Sequence, residues 1–473
     1  MRSTLERELK LDLDPSFALP ELPGEELAGR VFTSTYHDTP ARSLGRAGIT
    51  LRRRVENGKS LWQLKLPRAG SVGLARAELE EPGGPAGPPD ALASLLAAHL
   101  RHGKLEPVAT LRTRRSGVCV KDGERRVAEV TVDAVDVLDA GRSAGGFAEL
   151  EVELVDGDDH ELDRLGKRLR RAGARRSSGV PKLMRVLELE DSPAPGHDAP
   201  LLEHLRHLLD VQLRELEAHD PGVRLGDDAE DVHKFRVATR RTRALIRETR
   251  PLLGEILTPL GDELKWLAGV LGPVRDLDVL LEHLRGAVAR LGDDEPAGRE
   301  LLQALEAQRD DSRDRLLAAL SSERYDALLD AFETAIGTLP PLAAEGAADR
   351  IAGEGFRKLH KAVEKLPRHP SDDELHHVRI KAKRARYASE LAALGGSKSA
   401  ARAVDALKRV QDVIGAHQDA VVAEERLRKF ARAKTAVAAG RLIEKERERR
   451  LDLRAKVPDV LAAALDAGEK AFG

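Results

Sequence analysis

Charged and apolar residues alternate along most of the first 190 positions of the chain. Successive side chains of a strand point to opposite faces, so alternation indicates a sheet with two unlike faces. Gly, Pro, Asn and Asp separate the alternating segments, and the pattern predicts eight strands of an antiparallel sheet or barrel. The segments are LERELKLDL (5–13), GITLRRRVE (48–56), SLWQLKLPR (60–68), GLARAELEE (73–81), ATLRTRRSG (109–117), RRVAEVTVDAVDV (125–137), FAELEVELV (147–155) and VPKLMRVLELE (180–190). Two helices are predicted among them, at 89–100 and 160–172.

The period of the apolar positions changes after a Pro/Gly-rich stretch, DSPAPGHDAP, at residues 191–200. From residue 201 onward, leucines recur at three- and four-residue spacing, as in LLEHLRHLLDVQLRELEAH (201–219), which is typical of amphipathic helices. The sequence therefore predicts an α+β protein of two domains. A β domain with flanking helices occupies 1–190, a linker 191–200 and an all-α domain 201–473.

The helical half contains an internal repeat. VHKFRVATRRTR (232–243) is similar to LHHVRIKAKRAR (375–386), and LGPVRDLDV (271–279) is similar to IGAHQDAVV (414–422). Both pairs have one offset, since 376 − 233 and 415 − 272 both equal 143. Two matches at one offset indicate a duplication, so we expect two helical bundles, at about 201–345 and 346–473.

Composition and charge narrow the function classes. The formal net charge of −2 over 473 residues gives no overall field for nucleic acid or an anionic membrane, and aromatic residues make up only 3%, too few for a protein that stacks bases on rings. Cys119 is the single cysteine, which excludes an intrachain disulfide and a thiolate metal cluster. No stretch approaches 18 uncharged apolar residues. A cytoplasmic protein without a membrane partner is expected.

Charged residues share one face in most of the predicted strands. Each strand taken alone fits the solvated face of an antiparallel sheet. Taken together, these strands also fit the inside of a closed barrel, because positive and negative side chains tend to lie on different strands. Such an interior would suit a polyanion held with a divalent metal. The residues concerned are Glu6, Glu8 and Lys10; Arg52 and Arg54; Lys65; Arg76, Glu78 and Glu80; Arg112 and Arg114; Glu129, Thr131 and Asp133; Glu149, Glu151 and Glu153; and Lys182.

Several of these segments resemble the motifs of the CYTH, or triphosphate tunnel metalloenzyme, superfamily over about residues 1–190. The motifs, in the family's order, are ERELK, YHDT (36–39), LRRR, LWQLK, RAELE, LRTRR, ELEVE and PKLMR. The resemblance implies an eight-stranded antiparallel tunnel that binds a triphosphate compound with Mg²⁺ or Mn²⁺. It implies metal ligands at Glu6, Glu8, Asp133, Glu149 and Glu151. Which two of Glu149, Glu151 and Glu153 correspond to the family's pair of metal ligands is left open. It implies triphosphate contacts at Lys10, Arg52, Arg54, Lys65, Arg112, Arg114 and Lys182, and catalytic roles for Glu6, Glu8, Lys10, Glu78, Glu80 and Asp133.

The resemblance implies hydrolysis of a phosphoanhydride, with inorganic triphosphate split into pyrophosphate and phosphate. No base- or ribose-binding motif of an adenylyl cyclase is evident. Two alternatives remain: a tunnel acting on an organic triphosphate such as thiamine triphosphate or a nucleotide, and a binding protein that holds polyphosphate without turnover.

Basic residues form one stripe along a helix in each copy of the repeat, at spacings of three and four. Such a stripe is often a solvated face, but this one occurs twice at equivalent positions. Together with LGPVRDLDV (271–279), the stripes resemble the CHAD domain over about 198–473. Asp276 in that segment and Asp419 in the second copy are expected to hold arginines or to cap helices rather than to contact an anion. The resemblance implies that inorganic polyphosphate binds between the two halves, and it allows association with polyphosphate granules. The stripe residues predicted to bind are His233, Lys234, Arg236, Arg240, Arg243, Arg247, His376, Arg379, Lys383 and Arg386.

Overall fold

The chain divides into two compact units. The computed structural model describes residues 2–14, 17–68, 74–177, 182–187, 193–342 and 346–473. The N-terminal unit consists of Met1–Ser192 with Glu217–Asp231, and the C-terminal unit of Pro193–Leu216 with Val232–Gly473. The units differ from the predicted domain limits at Glu217–Asp231, which belong to the N-terminal unit because, for example, the backbone carbonyl of Glu217 contacts the His99 ring 2.9 Å away.

Eight antiparallel strands close into a barrel in the N-terminal unit. The strands are β1 (Arg2–Asp12), β2 (Gly24–Asp38), β3 (Thr50–Glu56), β4 (Lys59–Arg68), β5 (Leu74–Pro82), β6 (Glu106–Asp122), β7 (Arg125–Asp139) and β8 (Arg142–Leu154). Their order is β5-β4-β3-β2-β6-β7-β8-β1, and β1 pairs with β5 to complete the ring. A two-residue strand, β9 (Arg175–Arg176), adds to the end of β1. The predicted eight-stranded antiparallel tunnel is confirmed.

The outer face of the barrel is covered by helices, because alternation leaves leucines and valines pointing outward. Leu11, Leu150 and Val152 pack against Leu162 and Leu169 of a helix that begins with a capping box at Asp158. A second layer covers Leu51 and Trp62 with the leucines of 90–100. The N-terminal helices are α1 (Ser43–Arg46), α2 (Asp90–Ala93), α3 (Ala97–Leu100), α4 (Asp159–Arg171) and α5 (Lys182–Leu187). The two predicted helices are confirmed as α2–α3 and α4.

One predicted strand is wrong, and one real strand was not predicted. Lys182–Leu187 of the predicted strand 180–190 forms helix α5, while the rest of that segment lies outside the described residues. Lys, Leu, Met and Arg are good helix formers, and short apolar runs fit either structure. The eighth position of the barrel belongs instead to β2, whose buried positions alternate only from Phe32 onward.

Nine α-helices make up the described part of the chain after residue 200. They are α6 (Leu201–Leu225), α7 (Ala229–Leu253), α8 (Thr258–Val288), α9 (Glu295–Leu320), α10 (Glu323–Gly337), α11 (Ala347–Glu364), α12 (Asp372–Ala393), α13 (Lys398–Phe430) and α14 (Ala436–Phe472). The first residues of α7 and α12, Ala229 and Asp372, are 143 positions apart (372 − 229), as the repeat requires. The predicted all-α domain of duplicated bundles is confirmed. One core contains Leu375, Ile414 and Leu461, and another joins Leu277 and Leu305 to Leu427 and Leu442.

Candidate functional site

The inside of the barrel is a polar cavity of about 250 Å³, here called the tunnel. It exists because the inward positions of most strands carry charged side chains that cannot collapse into a dry core. Eighteen of the described residues line it: Glu6, Glu8, Lys10, Arg30, Tyr36, Thr50, Arg52, Arg54, Gln63, Lys65, Arg76, Glu78, Glu80, Arg115, Glu129, Glu151, Glu153 and Lys182. Eight of the eighteen are lysines or arginines and seven are glutamates, so an anion and a cation can both find partners.

The register of the barrel brings the charges of β1 together with those of its neighbours. Lys10 lies opposite Glu151 of β8, and its ammonium is 2.8 Å from that carboxylate. Burial alone would lower the pKa of Lys10, but Glu151 and Glu8 outweigh burial and raise it. Glu8 lies opposite Glu153, and Glu6 lies opposite Arg76 of β5.

Three buried carboxylates, those of Asp133, Glu149 and Glu151, form what we call the acidic cluster. Their ligand oxygens lie within 4.8 Å of one another. The ammonium of Lys182, at the start of α5, is 2.7 Å from Asp133, 2.7 Å from Glu149 and 3.1 Å from Glu151. Burial opposes the charge of Lys182, but Glu151 and Glu149 outweigh it and raise the pKa of the lysine. An internal ammonium therefore already neutralises part of the cluster.

Removing that ammonium should expose the cost of the acidic cluster. Lys182→Met should lower the thermal midpoint of the metal-free protein by roughly 6–15 °C, because breaking a buried ion pair costs about 3–5 kcal/mol. Added Mg²⁺ should restore more stability to this variant than to the wild type. The control is Lys167→Met, which removes an exposed pair with Asp163 on α4. Equal midpoints for the two variants would contradict this view of Lys182.

A second group of carboxylates is less well neutralised by internal partners. The Oε1 atom of Glu8 is buried without a hydrogen bond, and the ammonium of Lys10 is 3.7 Å away. Burial, reinforced by Glu6, raises the pKa of Glu153 to about 7. An added cation would give the Glu8 oxygen a partner and would favour the charged form of Glu153. Carboxylate oxygens are the ligands that Mg²⁺ prefers. These residues fit a divalent metal.

The basic side of the tunnel is held in place by hydrogen bonds and ring contacts. The guanidinium of Arg52 donates to Gln63 at 2.8 Å and to the hydroxyl of Tyr36 at 3.1 Å. The guanidinium of Arg54 lies 3.7 Å from the centre of the Phe32 ring. Rigid arginine forks of this kind suit phosphate oxygens.

Two predicted triphosphate contacts, Arg112 and Arg114, do not enter the tunnel. Both are exposed on the outer face of β6. Arg115 enters instead, donating to Asp133 at 2.7 Å and to Glu151 at 2.6 Å. The inward positions of β6 run through Leu111, which packs with Tyr36, Val135 and Leu183 of α5 at one end of the barrel interior. Near Leu111, the apolar residues of β6 therefore face the inside of the barrel.

The remaining predicted residues fall into two groups. Asp133 and Glu149 are not among the residues that line the tunnel, although both contact Lys182. All other predicted residues of the N-terminal unit line the tunnel: Glu6, Glu8, Lys10, Arg52, Arg54, Lys65, Glu78, Glu80, Glu151 and Lys182. The prediction did not include Arg30, Tyr36, Thr50, Gln63, Arg76, Arg115 and Glu129 as binding or catalytic residues. Glu153 was an open alternative for the metal pair, because it shares the inward parity of Glu149 and Glu151.

Two cavities of about 400 Å³ each, lined by described residues of the C-terminal unit, share Arg240, and we call them together the basic groove. One is lined by His233, Arg236 and Arg240 of α7 and Arg379 of α12, the other by Arg240, Arg243 and Arg247 of α7 and Lys383 of α12. Lys234, His376 and Arg386 were also predicted here but line neither cavity. The stripes of the two repeats thus meet in one groove.

Carboxylates compensate only part of the positive charge in the groove. Arg236 pairs with Asp276 at 3.1 Å. Burial, together with Arg379, Arg240 and other arginines, lowers the pKa of Lys383 to about 7. Burial also lowers the pKa of Arg379, and Arg240 and Arg236 add to the effect. The groove is therefore electrostatically prepared for an anion.

Among the described residues, no helix is both long and apolar enough to span a membrane.

Comparison with known proteins identifies both halves of the chain. Residues 4–184 match the CYTH domain, and residues 207–428 match the CHAD domain. Uncharacterized protein MT2285 of Mycobacterium tuberculosis is 32% identical over 466 residues, covering 89% of this chain and 88% of the relative.

Solved structures match parts of the chain. PptA from Streptomyces chartreusis is 25% identical with a TM-score of 0.46, covering 55% of this chain and 99% of its own. The CHAD domain from the plant Ricinus communis is 27% identical with a TM-score of 0.45, covering 60% of this chain and 94% of its own.

The two domains define what kind of protein this is. A CYTH domain fits a tunnel metalloenzyme of triphosphatase or cyclase type, and such enzymes depend on a divalent metal. CYTH and CHAD domains together suggest ligands of the triphosphate or polyphosphate type. The chain belongs to the family of proteins in which an N-terminal CYTH domain is followed by a C-terminal CHAD domain.

Proposed function

We propose that the tunnel hydrolyses inorganic triphosphate to pyrophosphate and phosphate with Mg²⁺ or Mn²⁺. The observation that carries the proposal is the lining of the tunnel, in which eight cationic side chains face seven glutamates. Such an interior is costly unless it holds both a polyanion and a cation. Within it, the buried Glu8 oxygen without a hydrogen bond supports a place for the cation.

The tunnel favours a bare triphosphate over an organic one. Among the described residues that line it, none is aliphatic, and Tyr36 is the only aromatic one. Its volume of about 250 Å³ is below the roughly 300–1,000 Å³ of pockets that hold organic ligands. A nucleobase or a thiamine ring would find little apolar surface, which supports the inorganic substrate.

The residues divide into a metal side and a phosphate side. Glu6, Glu8, Glu151 and Glu153 would hold the metal, while Asp133 and Glu149 orient Lys182. The bound metal supplies charge neutralisation on the phosphate oxygens and lowers the pKa of a coordinated water. Lys10, Arg52, Arg54, Lys65, Arg115 and Lys182 neutralise the remaining negative charge, and Glu78 and Glu80 orient basic residues.

A panel of substrates and metals tests this function. The full chain is incubated with tripolyphosphate, thiamine triphosphate or ATP, each with Mg²⁺, Mn²⁺ or EDTA, and phosphate, pyrophosphate and cyclic nucleotide are measured. We expect phosphate and pyrophosphate from tripolyphosphate in the presence of either metal. Turnover of ATP or thiamine triphosphate in preference to tripolyphosphate would overturn the substrate, and no turnover at all would overturn the enzyme.

Arg115 should contribute to substrate binding, whereas Arg112 should not. Arg115→Gln should raise the KM for tripolyphosphate at least about 10-fold, because a desolvated arginine–phosphate bond contributes on the order of 1.5–3 kcal/mol. Arg112→Gln, three positions earlier on the outer face of β6, is the matched control and should leave KM unchanged. Steady-state kinetics would contradict the orientation of β6 if Arg112→Gln had the larger effect.

We also propose that the basic groove binds inorganic polyphosphate without catalysis. The groove joins cations from both repeats, and burial together with repulsion by Arg379 and Arg240 lowers the pKa of Lys383. A flexible chain of phosphates carries no sequence to be read, so a basic groove suffices, and binding should weaken steeply with salt. A cytoplasmic protein associated with polyphosphate granules is consistent with such a groove. A titration with long-chain polyphosphate tests it, as developed in the Discussion.

A further inference from the structure

Lys383 has an unusual environment for a lysine. Its ammonium makes no hydrogen bond or ion pair with the described residues, although it is half-buried. Among the described residues, the cavity that it lines has seven cationic side chains and a single carboxylate, that of Asp262 on α8. The cationic groups that act most strongly on Lys383 are Arg236 and Arg240 on α7, with Arg379 and Arg386 on α12. Asp419 on α13 also interacts with it.

An amine in this position loses its proton readily. Burial disfavours the charged form, and each neighbouring cation disfavours it further. The two causes lower the pKa of Lys383 to about 7 and outweigh Asp419. Lysines beside other cations or in desolvated pockets are the ones that act as nucleophiles at neutral pH. The amine is therefore present in its reactive form where an ordinary lysine is almost fully protonated.

The walls of the same cavity suit a small phosphorylated molecule with an apolar part. Arg240 and Arg243 lie on one side, while Ile380 and Tyr387 belong to the same face of α12 as Lys383, at spacings of three and four. Ile380 keeps 38% of its surface exposed, so an apolar group can reach it. A phosphate can bind to the arginines while an acyl group packs on the isoleucine, with the amine between them.

We propose that Lys383 is a nucleophilic lysine that is acylated by small acyl phosphates drawn into the basic groove. The amine lone pair attacks the carbonyl carbon, and the bond from that carbon to the phosphate oxygen breaks. Phosphate leaves with the electron pair of that bond, and the proton lost from nitrogen passes to phosphate or to water. The products are an amide on Lys383 and inorganic phosphate.

Acylation removes one cation from the groove and so couples the two ligands. The amide has no positive charge with which to attract phosphate. Bound polyphosphate would favour the protonated form of the amine and shield it from acylation. Acylation should therefore weaken polyphosphate binding, and polyphosphate should protect Lys383. This coupling rests on the proposed polyphosphate groove, but the acylation itself does not, so the two can fail separately.

The test compares lysines within one protein. The full chain is incubated at pH 7 with acetyl phosphate, or with the uncharged N-hydroxysuccinimide ester of acetic acid, and acetylation of each lysine is followed by peptide mass spectrometry. The internal controls are Lys358 and Lys470, which are more exposed and pair with carboxylates. Lys383 should react at least about 10-fold faster than both controls with either reagent, and its advantage should be larger with acetyl phosphate.

Each other pattern overturns part of the proposal. Equal rates for the three lysines with the ester would refute the activated amine. An advantage with the ester that disappears with acetyl phosphate would refute the acyl phosphate as substrate. The pH profile gives a second readout, because the amine of Lys383 is half neutral at about pH 7 and its rate should level off about one pH unit above that pKa. A rate at Lys383 that rises as steeply as those of the controls up to pH 9 would contradict it.

Discussion

Glu8→Gln is expected to lower kcat for tripolyphosphate by at least about 100-fold. The substitution keeps the shape of the side chain but removes the charge that would hold the metal, and a metal acting on phosphate oxygens contributes several kcal/mol to the transition state. Since the Oε1 atom of Glu8 makes no hydrogen bond, the fold should tolerate the amide. Phosphate release with saturating Mg²⁺ or Mn²⁺ measures the effect.

The matched control for Glu8→Gln is Glu129→Gln. Glu129 also lines the tunnel, but it is paired with Arg126 at 2.7 Å. Its removal should change kcat by less than about 10-fold. The proposed metal side would be refuted if Glu8→Gln retained wild-type activity while its thermal midpoint matched that of the wild type.

Arg236→Ala combined with Arg379→Ala should weaken binding of long-chain polyphosphate by at least about 100-fold at low salt. The two residues are equivalents in the repeat (379 − 236 is again 143), and both line one cavity of the groove. Each phosphate contact that is lost should also flatten the dependence of log K on log salt by about 0.7, the value for single-stranded polyanions. Isothermal titration of the full chain at several salt concentrations measures both quantities.

Arginines outside the groove provide the control. Arg285→Ala combined with Arg299→Ala removes the same charge from the C-terminal unit, at residues that pair with Glu306 and Glu295 and line neither cavity. If only net charge mattered, the two double variants would lose equal affinity. Equal losses, or no loss from Arg236→Ala with Arg379→Ala, would be incompatible with the groove.

The alternation of charged and apolar residues predicted the tunnel because, once the sheet closes into a barrel, every second side chain of a strand points inside and the others point outside. Glu6, Glu8 and Lys10 share a parity with partners on both neighbouring strands, and all three line the tunnel. On β6 the same reasoning failed, since the inward positions begin with Leu111 and reach a charge only at Arg115. Which set of alternate residues on β6 faces inward depends on the residues that close the end of the barrel. Those are tertiary contacts, which the pattern along one strand does not reveal.

Helix α5 was beyond prediction for a related reason. Its six residues can form a helix or a strand, and the choice follows from the barrel, in which β1 already pairs with β5. The sequence nevertheless identified Lys182 as a tunnel residue, because the resemblance depends on order along the chain. In the helical half, spacing gave the basic stripes, but only the structure, in which residues of α7 and α12 line one cavity, explains why Lys383 is so poorly neutralised.

The central claim is that one tunnel holds a divalent metal and a triphosphate together. The most direct measurement is a crystal structure of the full chain with Mn²⁺ and a non-hydrolysable triphosphate analogue, in which the anomalous signal locates the manganese. We expect manganese coordinated by the Glu8 carboxylate and by phosphate oxygens, with Arg52 and Arg115 on the analogue. Manganese bound without Glu8, or an analogue bound outside the tunnel, would refute this assignment.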